Sequence, residues 1–156
     1  MNPVSFNIVL VAPEIPQNTG AIGRLCVNTG AKLHLVKPLG FSLDETHLRR
    51  AGMDYWQHLT LAVYENWQEF LSQNHPEQLY FCSTKSKQSV YQLRFKIGDY
   101  LVFGNEGKGL PSAFYTDYEQ YLYSIPMTGA HARSLNLANA VAIVLYEAMR
   151  QACFAK

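Results

Sequence analysis

A single α/β domain is predicted, a parallel sheet with helices on both faces, and three observations predict it. Short apolar runs of strand length alternate with longer stretches that carry helix start and stop signals, the pattern of β-α units. The chain has 156 residues, enough to bury one core and too few to divide comfortably into two. The run Tyr100–Pro111, Y-L-V-F-G-N-E-G-K-G-L-P, leads a buried strand straight into a loop whose three glycines enclose Glu106 and Lys108. In open α/β sheets ligands bind beyond the carboxyl ends of strands, and backbone without a Cβ can approach them closely.

The elements follow in order. Phe6–Val11 is an apolar strand stopped by Pro13 and Pro16; a helix then opens with Asn18 or Thr19 as its cap and closes at Gly30, a residue suited to the left-handed position. Lys32–Val36 is the second strand, ended by Pro38 and Gly40. Ser42-Leu43-Asp44-Glu45 reads as a capping box, with a helix from there to about Arg50 and Gly52. Leu61–Tyr64 is a short strand, and Asn66 with Glu69 opens a helix that ends near Pro76. Leu79–Thr84 is the fourth strand, the run from Tyr100 the fifth and Gln120–Ile125 the sixth, with one helical turn at Ser112–Tyr115 between the last two. Ser134 is expected to cap the longest helix, Leu135 to about Phe154. That helix is apolar on nearly all sides, so one face packs on the sheet and the other wants a partner.

Apolar residues make up 48% of the chain and charged residues 16%, which excludes disorder and leaves less charged surface than a small monomer usually carries. A net charge of +1 gives no global basic field, so any nucleic-acid contact must come from a local patch. Cys26, Cys82 and Cys153 form neither a disulfide framework nor a zinc-binding spacing. With no secretory pattern and no stretch of membrane-spanning length, the expected location is the cytoplasm, with no membrane association.

Two phosphate signatures fail. N-T-G-A-I-G around Gly20 lacks the first glycine of G-x-G-x-x-G and is separated from its strand by two prolines; G-N-E-G-K-G-L crowds its glycines too closely for a P-loop and follows Lys108 with glycine. Three loops remain, each after a strand: Asn18–Arg24, Gly104–Gly109 and Ile125–Asn136. Singly, each is accounted for by a helix cap or a solvated loop acid.

Together, N-x-G-x-x-x-R at Asn18, Gly20 and Arg24, F-G-N-E-G-K-G-L-P from Phe103, and I-P-M with S-L-N-L-A-N-A from Ser134 resemble the signature motifs of the SPOUT (SpoU-type) RNA ribose methyltransferases, in that family's order. The opening I-V-L-V-A-P-E-I-P-Q-N-T-G and the segment H-L-R-R-A-G-M-D-Y from His47 resemble most its tRNA wobble-nucleotide branch. The resemblance implies a C-terminal deep trefoil knot, a homodimer with the C-terminal helix at the interface, no metal, and S-adenosyl-L-methionine as methyl donor, leaving as S-adenosyl-L-homocysteine. It implies cofactor contacts from Cys82, Gly104, Ile125 and Ser134, and functional polar roles for Asn18, Arg24, Glu106, Ser134 and Asn136. The expected reaction is methylation of the ribose 2′-hydroxyl of the wobble cytidine or uridine of tRNA. The alternatives are the same chemistry on another tRNA or rRNA nucleotide, and a non-catalytic nucleotide- or RNA-binding module.

Methyl transfer to a hydroxyl is an in-line displacement, so alignment matters more than covalent assistance. A guanidinium is effectively always protonated, so Arg24 is read as orienting the ribose and stabilising developing negative charge rather than as the base. His131 has a suitable side chain for proton removal, but the motif does not require it. With no added RNA-binding domain expected, the candidate RNA contacts are Arg49, Arg50, Lys85, Lys87, Lys108 and Arg133, with Tyr55 or Trp56 available to stack on an unpaired base.

Overall fold

The computed structural model describes residues 6–44 and 54–154. Six parallel strands form one sheet in the order β3-β2-β1-β5-β4-β6, with β1 at Asn7–Val11, β2 at Lys32–Val36, β3 at Leu61–Tyr64, β4 at Leu79–Cys82, β5 at Tyr100–Phe103 and β6 at Leu122–Tyr123. Among the described residues four α-helices accompany them: α1 (Pro16–Thr29), α2 (Trp67–Asn74), α3 (Phe114–Asp117) and α4 (Leu137–Met149).

Alternate residues of the central strands point to opposite faces, and both faces are covered. Ile8, Leu10, Leu101 and Phe103 pack with Ile22 and Cys26 of α1 and with Val141, Val144 and Leu145 of α4. Val9, Val11 and Val102 pack on the other face with Phe70 of α2 and Phe114 of α3. The predicted α/β sheet with helices on both faces is therefore present.

Strand β1 pairs with β2 on one side and β5 on the other. The loops leaving β1 and β5 thus diverge across the point where the strand order reverses, which opens a crevice at the carboxyl edge.

Several boundaries differ from expectation for identifiable reasons. Helix α1 starts at Pro16, with Ile15 at the cap position and no side-chain cap, so Asn18 lies in the first turn instead of capping it. Proline suits the first helical position because its missing N–H would be unpaired there anyway. The predicted closure at Gly30 is observed, at φ 76°. Helix α4 begins at Leu137, capped by Asn136, whose side-chain oxygen accepts the Asn139 N–H at 3.2 Å; Ser134 does not cap it. Strand β6 is two residues long because it pairs only with the end of β4, through Phe81 with Leu122 and Cys82 with Tyr123. The helical turn lies at Phe114–Asp117, two residues later than expected. The helix expected from Ser42 to Arg50 falls mostly outside the described residues, as do Arg49 and Arg50 themselves; Ser42 Oγ accepts the Asp44 N–H at 3.0 Å.

Helix α4 continues as a π-helical turn, Arg150–Phe154, and its outward side leaves Tyr146 47% and Phe154 56% exposed. Gln151 ties this tail to the sheet side by accepting the Phe95 N–H and donating to the Leu93 carbonyl.

One polar network lies inside the core. His34 is fully buried, with Nδ1 2.8 Å from the Tyr64 hydroxyl and Nε2 2.9 Å from Asn7 Oδ1. Because Asn7 Nδ2 donates to the Gly98 carbonyl, its oxygen faces the ring, so Nε2 carries the proton and Nδ1 accepts from Tyr64. Burial, reinforced by the charge on Lys32, pushes the His34 pKa down to about 3. The unfolded chain therefore binds one more proton than the folded chain between the ordinary value of 6.5 and about 3. His34 stabilises fully above that window and less as pH falls through it, by up to about 1.4 kcal/mol per pH unit. Denaturation midpoints at pH 5 and pH 7 are expected to differ in the wild type and to converge in His34→Gln, which lacks the titrating ring.

Candidate active site

The loop after β5 is built before any ligand is considered. The Asn105 N–H donates to the Gly109 carbonyl at 3.0 Å and the Gly109 N–H returns to the Asn105 carbonyl at 2.8 Å. Asn105 Oδ1 accepts the N–H groups of Gly107 and Lys108 at 2.8 and 2.9 Å, and its Nδ2 donates to the Ala12 carbonyl at 2.8 Å. One asparagine thus folds the loop and fastens it to the β1 exit. A Cβ on Gly104 would overlap the backbone of Gly109 and Leu110, so glycine is required there by the loop's contact with itself. Gly109, at φ 74°, needs the left-handed conformation.

Glu106 then reaches across the crevice. Its carboxylate accepts the Glu14 N–H at 2.8 Å, the Ile15 N–H at 2.9 Å and Asn18 Nδ2 at 3.3 Å. It supplies at the start of α1 the anionic cap that α1's own sequence lacks. Partial burial raises the Glu106 pKa, but the backbone bonds from Glu14, Ile15 and its own amide, with the Asn18 bond, outweigh this and hold it below the usual carboxylate value.

Asn18 passes the connection on. Its Oδ1 accepts from Asn136 Nδ2 at 3.0 Å, while Asn136 Oδ1 caps α4. The relay Glu106–Asn18–Asn136 joins three segments, with sequence separations of 88 and 118 along its two links. It orients both amides uniquely, since each donates from nitrogen and accepts at oxygen.

These segments surround a cavity of about 610 Å³. Asn18, Cys82, Lys85, Gly104, Glu106, Lys108, Ile125, Ser134 and Asn136 line it, so the structure gathers most of the residues singled out from sequence. Arg24 is not among the lining residues: it is exposed on α1, its guanidinium 4.9 Å from the centre of the Tyr55 ring. Lys87, His131 and Arg133 are exposed and also lie outside the lining. Tyr55 donates to the Gly20 carbonyl and Trp56 packs on Gly23, where a Cβ would lie 2.6 Å from its ring, so both aromatics are engaged with α1.

Cys82 is a wall of the cavity and no nucleophile. Burial, slightly countered by the Tyr123 hydroxyl, pushes its thiol up to about 12, leaving it neutral at physiological pH. Sequence reasoning passed over two features. Asn105 was quoted within its motif without a role; an asparagine between glycines is a recognisable side-chain turn signal. Tyr115 bonds Ser83 through its hydroxyl at 3.1 Å and carries Lys85 Nζ 4.9 Å over its ring, a contact no local pattern announces.

The lining suits a nucleoside ligand. Cys82, Ile125, Leu135, Leu137 and Ala140 offer apolar walls for a base, while Ser134, Asn18 and Glu106 add polar residues to the lining. The residues present therefore fit an adenosyl cofactor.

A parallel α/β sheet whose strand-end loops close on a nucleoside-sized cavity defines a class of nucleotide-binding fold, and comparison with known proteins gives the family. The model of the SpoU rRNA Methylase family matches residues 5–146, and the chain belongs to that family. Among its relatives, the tRNA (cytidine(34)-2'-O)-methyltransferase of Saccharophagus degradans is 48% identical over 152 residues, covering 96% of this chain and 97% of that one. The protein of the same name from Escherichia coli K12 is 44% identical over 148 residues, covering 94% and 93%. A solved structure from work on the 2-OH methylation of C/U34 on tRNA superposes with a TM-score of 0.86 at 41% identity, covering 96% and 97%. The SpoU methyltransferase AviRb from Streptomyces viridochromogenes, in complex with AdoMet, gives a TM-score of 0.79 at 28% identity, covering 96% of this chain and 62% of that one.

Proposed function

We propose that this chain is a methyltransferase that uses S-adenosylmethionine to methylate the ribose 2′-hydroxyl of the wobble cytidine or uridine of tRNA. The observation that carries this reading is the Glu106–Asn18–Asn136 relay, which locks all three motif loops around one nucleoside-sized cavity. When bound, the cofactor supplies a methyl group already activated on a sulfonium, so no metal is called for.

Cys82, Gly104, Ile125 and Ser134 hold the cofactor; Glu106, Asn18 and Asn136 fix the shape of the pocket around it. Glu106 spends its lone pairs on the β1–α1 turn, which makes it a positioning residue rather than a proton acceptor. Arg24 stands outside the single-chain cavity, and we assign it to a site completed by a second copy of the chain. The exposed Tyr146 and Phe154 on the outer side of the C-terminal helix support a homodimer through that helix. The return of the chain after β6 to bond Asn18 through Asn136 supports a C-terminal knot. We assign the RNA contacts to Lys85, Lys87, Lys108, Arg133, Arg49 and Arg50. No helix among the described residues is long and apolar enough to cross a membrane, and we place the enzyme in the cytoplasm.

The test is tritium transfer from labelled S-adenosylmethionine to purified tRNA and, separately, to ribosomal RNA. Label in tRNA alone is expected; label in ribosomal RNA alone moves the substrate, and cofactor binding without transfer to either refutes the enzyme. Affinity for tRNA is expected to fall with salt by a log–log slope of roughly 0.7 to 0.9 for each phosphate contacted. Arg24→Ala is expected to lose about 100-fold or more in kcat, the usual cost of removing one group that stabilises developing negative charge. Its calorimetric affinity for the cofactor should be unchanged, and near-normal turnover in the folded variant would remove Arg24 from the reaction.

A further inference from the structure

A second cavity, of about 600 Å³, lies on the other side of the β5 loop. One wall is the β1 exit, Ala12-Pro13-Glu14, and the next is Pro38-Leu39-Gly40 after β2. The Gly40 N–H donates to the Pro13 carbonyl at 3.0 Å, and a Cβ at Gly40 would lie 2.5 Å from the Glu14 carbonyl oxygen, so only glycine permits this approach. Ala12 is held at φ 54°, between the Val36 carbonyl, which its N–H reaches, and Asn105, which donates to its own carbonyl. A non-glycine residue kept in that region costs on the order of 1 to 3 kcal/mol, and such residues cluster at ligand sites. The opposite wall, with Lys85, Lys108 and Tyr115, is shared with the cofactor cavity, so the two pockets stand back to back.

The chemistry of this lining is mixed in a specific way. Lys85 and Lys108 bring two cations to the lining and Glu14 one carboxylate; Lys85 Nζ lies 4.9 Å over the Tyr115 ring, and neither lysine is in an ion pair among the described residues. The apolar side chains of Leu39, Leu110 and Pro111 line the same cavity. An inorganic anion has no use for those surfaces, and an apolar ligand has no use for the lysines. A nucleotide uses both, packing its base against the apolar side chains and setting its phosphate on the cations.

We propose that this second cavity seats a nucleotide of the substrate RNA adjacent to the one that is methylated, with its base on the Leu39–Pro111 side and its phosphate between Lys85 and Lys108. The proposal rests on the methyltransferase reading. Asn105 braces the wall between the pockets from within, so a nucleotide seated on one side is held in fixed relation to the cofactor on the other.

The test uses Ser112→Trp in the full chain, since Ser112 is exposed and lines this cavity without lining the other. KM for tRNA is expected to rise about tenfold or more, because the indole fills the space the base would take and about 1.4 kcal/mol of lost contact is tenfold in affinity, while cofactor affinity, kcat and melting temperature stay at wild-type values. An unchanged KM in the folded variant overturns the proposal. An equal loss of cofactor affinity overturns it too, because the cavity then belongs to the cofactor. Leu39→Trp fills the same space from the facing wall and carries the same expectations if Ser112→Trp does not fold. Wild-type protein is assayed alongside: failure of the wild type to methylate tRNA defeats the enzyme reading itself, whereas a failure confined to the variant comparison defeats only the second seat. Photocrosslinking of tRNA carrying 4-thiouridine next to the wobble position should label peptides 37–41 or 110–116, and crosslinks exclusively elsewhere contradict it.

Discussion

Glu106→Ala is expected to destabilise the protein by roughly 1 to 2 kcal/mol, the usual cost of losing a helix N-terminal cap, because its bonds to the start of α1 are exposed to solvent and the freed N–H groups can turn to water. The side chain bonds two backbone N–H groups and Asn18 at once, and α1 has no side-chain cap to replace it. Activity should fall further than stability explains. Without the carboxylate Asn18 loses one of its two partners, the link to Asn136 loosens, and a displacement of about 1 Å at a reacting centre can cost 100-fold in rate. Glu106→Gln retains an oxygen for one pair of donors and turns an N–H toward the other, so it should fall between alanine and wild type. Thermal melts and single-turnover methyl transfer, measured where each variant is folded, separate the two effects. Since the folded pKa of Glu106 is depressed, its stabilisation is present above its ordinary value and is lost as pH falls through the folded value. Acid unfolding of Glu106→Gln should therefore begin from a lower plateau and show a shallower loss.

Gly104→Ala is the second large effect. The added methyl has nowhere to go: the obstructing atoms are the backbone of Gly109 and Leu110, which unlike a flexible side chain cannot swing aside. The loop must open, and the reciprocal Asn105–Gly109 bonds break with it. Overpacking of this kind costs about 1 to 3 kcal/mol. Because Gly104 lines the cofactor cavity, calorimetry should show weakened binding of S-adenosylmethionine even at temperatures where the variant is folded. Gly129→Ala is the control: nothing lies within contact of a Cβ there, and neither stability nor binding should change.

The sheet was legible because its strands are short, apolar and bounded by proline and glycine, and because parallel strands buried on both faces read as continuous runs. The strand expected over Gln120–Ile125 is longer than β6 because its Tyr, Leu and Ile residues have strand character, whereas only Leu122 and Tyr123 pair with β4 and Ser124 makes an isolated bridge to Ser89. Helix starts were harder. Asn18 and Ser134 are good caps by residue type, but Pro16 and Asn136 sit where the geometry allows a first turn, and Glu106 from 91 residues away does the work of a local cap at Ile15. The site was legible as a set of motifs and illegible as a mechanism of assembly. Nothing local in G-N-E-G-K-G says that its asparagine braces the loop while its glutamate leaves it to hold another.

The central claim is methylation of one ribose hydroxyl, and mapping the product tests it most directly. Transfer RNA from cells lacking the corresponding gene is incubated with the protein and S-adenosylmethionine, digested, and its nucleosides and fragments identified by mass spectrometry. A 2′-O-methylated cytidine or uridine at the wobble position, absent with Arg24→Ala, is the predicted result. A methyl group on a base, or on a ribose outside the anticodon loop, would contradict it.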